Sequence, residues 1–275
     1  MRELLLTPLG YQFFQRALVA GIVIGALCGA MSVPVTLRRM SYIGHGLAHS
    51  VIGGVAIGVA FGVNLYIGAT VATVTAALLI DRVSRRAGVH IDAAIGIVTT
   101  AAFALGIVVL ALVPSQINLE AVLFGNLLGV TQGDLTLAGT VSAVTVTILF
   151  VGYKRGIFTL FDEDVARAHG VNVNATILTI NLLTAAVVVA SVRVLGALLI
   201  AAAIVLPAAT AQLVTRRFAS FSLLAVATGT VTAIIGLYAS FHFDIPSGPA
   251  VVLAGTVLFT LAYVAGARNS LKASR

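Results

Sequence analysis

The sequence predicts an all-α, polytopic membrane protein with about nine spans, eight at the fewest. Three observations predict it. Of the 275 residues 60% are hydrophobic and only 9% charged, against roughly 45–50% and 25% in a soluble domain. The apolar residues gather in nine runs, at about 17–37, 46–63, 65–80, 94–113, 135–152, 175–192, 194–214, 219–241 and 248–266. Most are close to the roughly 20 residues that a helix needs to cross a hydrocarbon layer about 30 Å thick. Finally, the basic residues crowd into every second connection, with 13 of the 16 on one side. The positive-inside rule makes that side cytoplasmic. With nine spans the N-terminus is then outside and the C-terminus cytoplasmic. The formal charge of +7 is spread over small clusters and forms no continuous basic face, so nucleic acid is not an expected partner. Membrane lipid is.

The chain reads as one permease domain over 1–275. Residues 1–16, "MRELLLTPLGYQFFQR", have no small-residue cleavage site behind a basic region and are expected to stay as an interfacial segment. Run 17–37 holds Cys28, the single cysteine. One thiol excludes an internal disulfide and a cysteine-rich metal site, which leaves packing. After Arg38 and Arg39 comes "SYIGHGLAHSVIGGVAIGVAFG", 41–62, whose glycines 53, 54, 58 and 62 permit close helix contacts. Run 65–80 is the shortest, and a count of eight results if it is only partly inserted. Asp92 follows the Arg82–Arg86 cluster as a first-turn acid. The connection 113–134 contains an apolar piece, Leu119 to Val130, too short to span and expected to be interfacial or re-entrant. Asp134 then heads the next helix.

The connection 153–174, "YKRGIFTLFDEDVARAHGVNVN", is unlike the rest. Asp162, Glu163 and Asp164 precede a short helical piece that ends at Gly170, in accord with acidic first turns and glycine C-caps. Physics alone allows either a plain linker or a docking helix on the cytoplasmic surface. Arg193, isolated on the external side, is expected to snorkel or to meet a carbonyl. The last external connection, "FHFDIPSGP", carries His242 and Asp244 before two prolines that stop one helix and start another.

His45 and His49 are the residues with the clearest chemistry. At i,i+4 on a helix they share one face and can reach one ion. Two ligands hold an ion weakly, which suits a transport site. Neutral histidines bonded to neighbouring carbonyls are the competing reading. The pair also matches the zinc-protease pattern H-E-x-x-H except that Gly46 takes the place of the glutamate base. A hydrolase would therefore lack its catalyst. No G-x-x-x-x-G-K-[ST] loop occurs and the only lysines, Lys154 and Lys272, lie in other contexts. The chain is thus not an enzyme that can hydrolyse ATP by itself. An ion-coupled secondary transporter would need intramembrane carboxylates, and only Asp92 comes close.

Several segments together, "MSYIGHGLAHSVIGGVAIG", "DAAIGIVTTAAFALGIVVL", "LEAVLFGNLLGVTQGDL", "LFDEDVARAHGV", "VRVLGALLIAAAIVLPAATAQLVTRR" and "YASFHFDIPSGPAVVL", resemble the membrane permeases of the ABC-3 metal-ion importers, from about residue 15 to 265. The resemblance implies a type II importer-like permease in the bacterial plasma membrane that moves a divalent transition metal inward. It implies a homodimer, with a separate ATP-binding subunit on the cytoplasmic side and a metal-binding protein outside. On that resemblance Asp162, Glu163, Asp164, Arg167 and Gly170 belong to the ATPase-coupling segment. Family members typically carry aspartate four positions before the histidine that His49 matches, and this chain has His45 there. Two imidazoles without a carboxylate favour Zn²⁺ over the oxygen-preferring Mn²⁺, with Fe²⁺ less easily excluded. Asp92, Glu120 and Asp244 are the acids that can add negative charge. His242 and Asp244 are expected as a first contact for incoming ions, beside their role in a rigid turn.

Overall fold

The computed structural model describes residues 6–86, 88–112 and 123–273. Among these the chain is helical, in the order α1 (Gln12–Leu37), α2 (Ile43–Ala60), α3 (Leu65–Ser84), α4 (Ile91–Leu112), α5 (Gln132–Val151), α6 (Tyr153–Phe161), α7 (Glu163–Ala168), α8 (Val173–Leu195), α9 (Ile200–Val214), α10 (Phe218–Phe243) and α11 (Ser247–Ala273). The ends follow from polar side chains and glycines. Asn64, Asn172 and Thr131 accept hydrogen bonds from backbone N–H groups in the first turns of α3, α8 and α5. Gly62, at φ 67°, closes α2, with Val63 N donating to Gly58 O and Gly62 N to Val59 O. That is the glycine-terminated stop expected of a helix end. Residues 12–16 form the start of α1, continuous with the span.

Among the described residues, eight helices are long and apolar enough to cross a membrane. The ninth apolar run is the exception, and it is 194–214 and not 65–80. The latter becomes the 20-residue α3, whereas α9 has 15 residues, about 22 Å at 1.5 Å per residue. The chain leaves α8 at Gly196, φ 82°, and the turn that follows is pressed against residues 123–126. Leu198 N donates to Leu123 O at 3.1 Å and Asn126 N to Arg193 O at 2.8 Å. A Cβ on Gly196 would lie 2.3 Å from the carbonyl carbon of Phe124. Irregular backbone is tolerated in a membrane protein where the protein itself satisfies its polar groups, as it does here. Of the Leu119–Val130 piece, residues 119–122, Glu120 among them, lie outside the described residues, and 123–130 are described and include a single 3₁₀ turn, Leu127–Gly129.

Glycine contacts set the packing. A Cβ on Gly25 would lie 2.5 Å from Gly229 O, and one on Gly29 2.5 Å from Ala225 O, so α1 and α10 touch along their backbones. Helix α2 is held from two sides, by α3 at Gly54 and Gly68 and by α4 at Gly46, Gly53 and Gly106. It is 72% buried across its apolar window, against 17% for α4 and for α5. This makes α2 a central helix and leaves α4 and α5 with open faces. Cys28, 1% exposed, packs in the core near Ser191.

Arg193 departs from expectation. Instead of snorkelling or meeting a carbonyl, its Nη1 lies 3.1 Å from Tyr66 Oη and 3.4 Å from Asp134 Oδ1. Tyr66 donates to the same carboxylate. Asp134 also accepts from Thr131 N and Thr131 Oγ1 at its other oxygen, completing a capping box. One buried carboxylate thus joins α3, α5 and α8. Removing it orphans several donors at once, so Asp134→Ala is expected to cost about 1–3 kcal/mol. Arg193→Ala costs less, because its side chain is 55% exposed and such pairs are screened. Thermal unfolding in detergent checks this, and equal melting of wild type and Asp134→Ala would sink the assignment.

Candidate metal-transit site

His45 and His49 stand on the first two turns of α2, His45 exposed and His49 half-buried. Their Nε2 atoms are 3.0 Å apart and the rings meet edge-on with centroids at 4.5 Å. At that spacing one Nε2–H donates to the other ring's Nε2 lone pair, so at least one ring presents an unprotonated nitrogen. Two nitrogens on one tetrahedral Zn²⁺, at about 2.0–2.1 Å each, would be about 3.3 Å apart. The pair therefore opens by a few tenths of an ångström to share an ion. His49 Nδ1 is buried without a partner, and its ring lies 5.0 Å from that of Phe103.

The pair lies where His49 meets Phe103, 12 residues along α4 from Ile91, about 18 Å along the helix axis. A five-residue connection between α1 and α2 leads to this position, and Gly44 fits against Ala201 and Ile204 of the short α9. Gly46 permits the approach to α4, since a Cβ there would lie 2.7 Å from Ile95 Cγ2 and 2.8 Å from Thr99 Cγ2. The H-G-x-x-H spacing thus combines two imidazoles on one helix face with a close approach to α4 that Gly46 allows.

Among the described residues, no group of three or more His, Cys, Asp or Glu side chains is placed to hold a metal ion. One copy of the chain offers two imidazoles. Asp92 lies in the first turn of α4. At the far end of the bundle, His242 Nδ1–H donates to Tyr238 O at 2.9 Å, and Asp244 ends α10 in the left-handed region at φ 50°. Both are exposed.

The segment 153–174 forms two short helices, α6 and α7. Asp162 Oδ1 accepts from Asp164 N and Val165 N, each at 3.0 Å, and caps α7. Arg167 pairs with Glu163 at 3.1 Å and with Asp164 at 3.2 Å. Gly170, φ 74°, ends the helix, with Val171 N donating to Ala166 O. The acids and the glycine therefore build the helix end that their order predicts. Sequence reasoning missed Arg38, taken only as a topology signal. Its side chain is 12% exposed and its Nη2 is 3.8 Å from Glu163 Oε1. Burial lowers the pKa of its guanidinium from the ordinary value, with Glu163 and Asp81 opposing that effect and Arg85 adding to it. Phe103 was missed too, since one aromatic in an apolar run carries no signal of its own.

An all-helical bundle in which, among the described residues, eight helices are long and apolar enough to cross a membrane has the architecture of a polytopic membrane subunit. The chain belongs to the ABC 3 transport family, which matches residues 10–266. It is 36% identical over 265 residues to the manganese transport system membrane protein MntC of Listeria monocytogenes, covering 96% of this chain and 95% of that one. It is 33% identical to the chelated iron transport system membrane protein YfeC of Yersinia pestis, covering 100% and 94%. A chain of the solved structure of PsaBC from Streptococcus pneumoniae in complex with Fab superposes with a TM-score of 0.84 at 31% identity, covering 95% of each chain.

Proposed function

We propose that this chain is the permease of an ATP-driven importer that carries a divalent transition-metal ion across the bacterial plasma membrane into the cytoplasm. The observation that carries this reading is the His45–His49 pair, with Nε2 atoms 3.0 Å apart on the central helix. Two copies of the chain face one another, and the second copy or water completes the ligand shell that one copy leaves at two nitrogens. A separate ATPase docks on Asp162 to Gly170, and a metal-carrying protein delivers ions at the opposite end, where His242 and Asp244 are exposed. The basic connections support a cytoplasmic position for the docking segment and the C-terminus.

Zn²⁺ is the favoured substrate on donor chemistry. Imidazole suits zinc, whereas Mn²⁺ prefers carboxylate, carbonyl and water oxygens, and no carboxylate joins the pair among the described residues. The names of the manganese and iron relatives support a second reading, in which Mn²⁺ or Fe²⁺ is carried and water supplies the oxygens. The nitrogen spacing does not separate the two, because several coordination geometries accept it.

The test is radioactive zinc uptake by cells that lack their own high-affinity importers and express this chain with its ATPase and binding protein. Uptake blocked by excess cold zinc and much less by manganese is the expected result. Stronger competition by manganese or iron makes that ion the substrate, and no uptake of any of the three overturns the importer reading.

A further inference from the structure

Arg38 occupies an unusual place for a residue that only signals topology. It caps the end of α1, and the next residue, Arg39, is in the left-handed region at φ 56°. Arg39 N donates to Thr36 O and Met40 N to Val35 O, both at 3.0 Å, the paired bonds that usually close a helix over a glycine. Met40 and Ile43 are fully buried. The connection from Arg38 to the first turn of α2, where His45 stands, is therefore short and firmly seated.

The Arg38 guanidinium is a largely buried cation, 12% exposed, with a spare donor. Nη1 has no partner, and Nε reaches only Met40 Sδ at 3.3 Å. Nη2 lies 3.8 Å from Glu163 Oε1, beyond the roughly 2.7–2.9 Å of a charge-assisted hydrogen bond. Asp81, the other nearby acid, is already held by Arg85 through two hydrogen bonds of 2.9 and 2.8 Å. Glu163 is the carboxylate left to respond. Its Oε2 is bound to Arg167 within α7, so it moves with that helix. A shift of α7 toward Arg38 by about 1 Å would turn a loose ion pair into a hydrogen bond and engage a buried donor.

We propose that the Glu163–Arg38 contact transmits movement of the docking segment to the histidine-bearing helix, and that Arg38 is a positioning residue for the metal pair. This rests on the importer reading above. As a static contact the pair is worth little, since half-exposed ion pairs contribute about 0–1 kcal/mol. Its effect belongs to the coupling of ATP hydrolysis to transport.

The experiment uses the complete complex of this chain, its ATPase and its binding protein in liposomes, and reads metal taken up per ATP hydrolysed. Arg38→Gln is expected to assemble and hydrolyse ATP while the ratio falls by about fivefold or more, the lower end of a typical coupling energy. Glu163→Arg alone lowers the ratio as well, and Arg38→Glu combined with Glu163→Arg restores much of it, which a merely structural role for either residue does not predict. A wild-type ratio in Arg38→Gln, or a charge swap no better than Glu163→Arg alone, overturns the transmission contact and leaves the importer reading standing. A wild-type complex without ATP-dependent uptake overturns both.

Discussion

Alanine at both His45 and His49 is expected to abolish metal uptake while the chain remains in the membrane at its normal level. The two rings hydrogen-bond to each other, and His49 Nδ1 is buried without a partner. Their joint removal therefore orphans no polar group elsewhere, and replacing both partners of a bond is close to neutral for stability. Uptake is another matter, since one copy of the chain contributes no third ligand among the described residues. Each single substitution is expected to lose most of the activity. His45→Asp restores a carboxylate and shifts preference toward Mn²⁺. Uptake with competing ions, normalised to the amount of protein in the membrane, checks all four variants. Unimpaired uptake by the double variant would make the histidines structural and place the transit site elsewhere.

The features that could be read from the sequence are those that depend on local chemistry. Apolar runs mark spans because every residue of a span meets the same solvent, and the Asp162–Gly170 helix is legible because a cap and a glycine stop act over a few residues. The i,i+4 histidines are legible for the same reason, since helix geometry alone places them on one face. What escaped depends on long-range contact. That run 194–214 yields only a 15-residue helix follows from its packing against residues 123–126 and 248, which no window over that run contains. Arg193 was assigned the partner that an isolated arginine ordinarily finds, and its actual partners are 127 and 59 residues away. Arg38 illustrates a different limit. The positive-inside rule gave a complete account of its charge and so removed any reason to look for a second role.

Gly53→Ala should be among the most damaging single-methyl changes in the molecule. A Cβ at this position would lie 2.3 Å from Ala102 O and 3.0 Å from Ala102 C. Those are backbone atoms of α4, so no side chain can turn aside and the two helices must separate. Gly106 faces the same spot, where its own Cβ would lie 2.3 Å from the Gly53 Cα. Overpacking of this kind costs about 1–3 kcal/mol, enough to lower the melting temperature in detergent visibly. The loss of transport is expected to exceed the loss of folded protein. Phe103, which packs on His49, is the neighbour of Ala102, so a helix displaced by one methyl group moves the ring that lies against the His45–His49 pair. Gly96→Ala on the same helix is the control. A Cβ there meets nothing within 4 Å, and alanine in a helix interior stabilises by roughly 0.5–1 kcal/mol over glycine. Equal melting of the two variants would mean that α2 and α4 do not touch backbone to backbone.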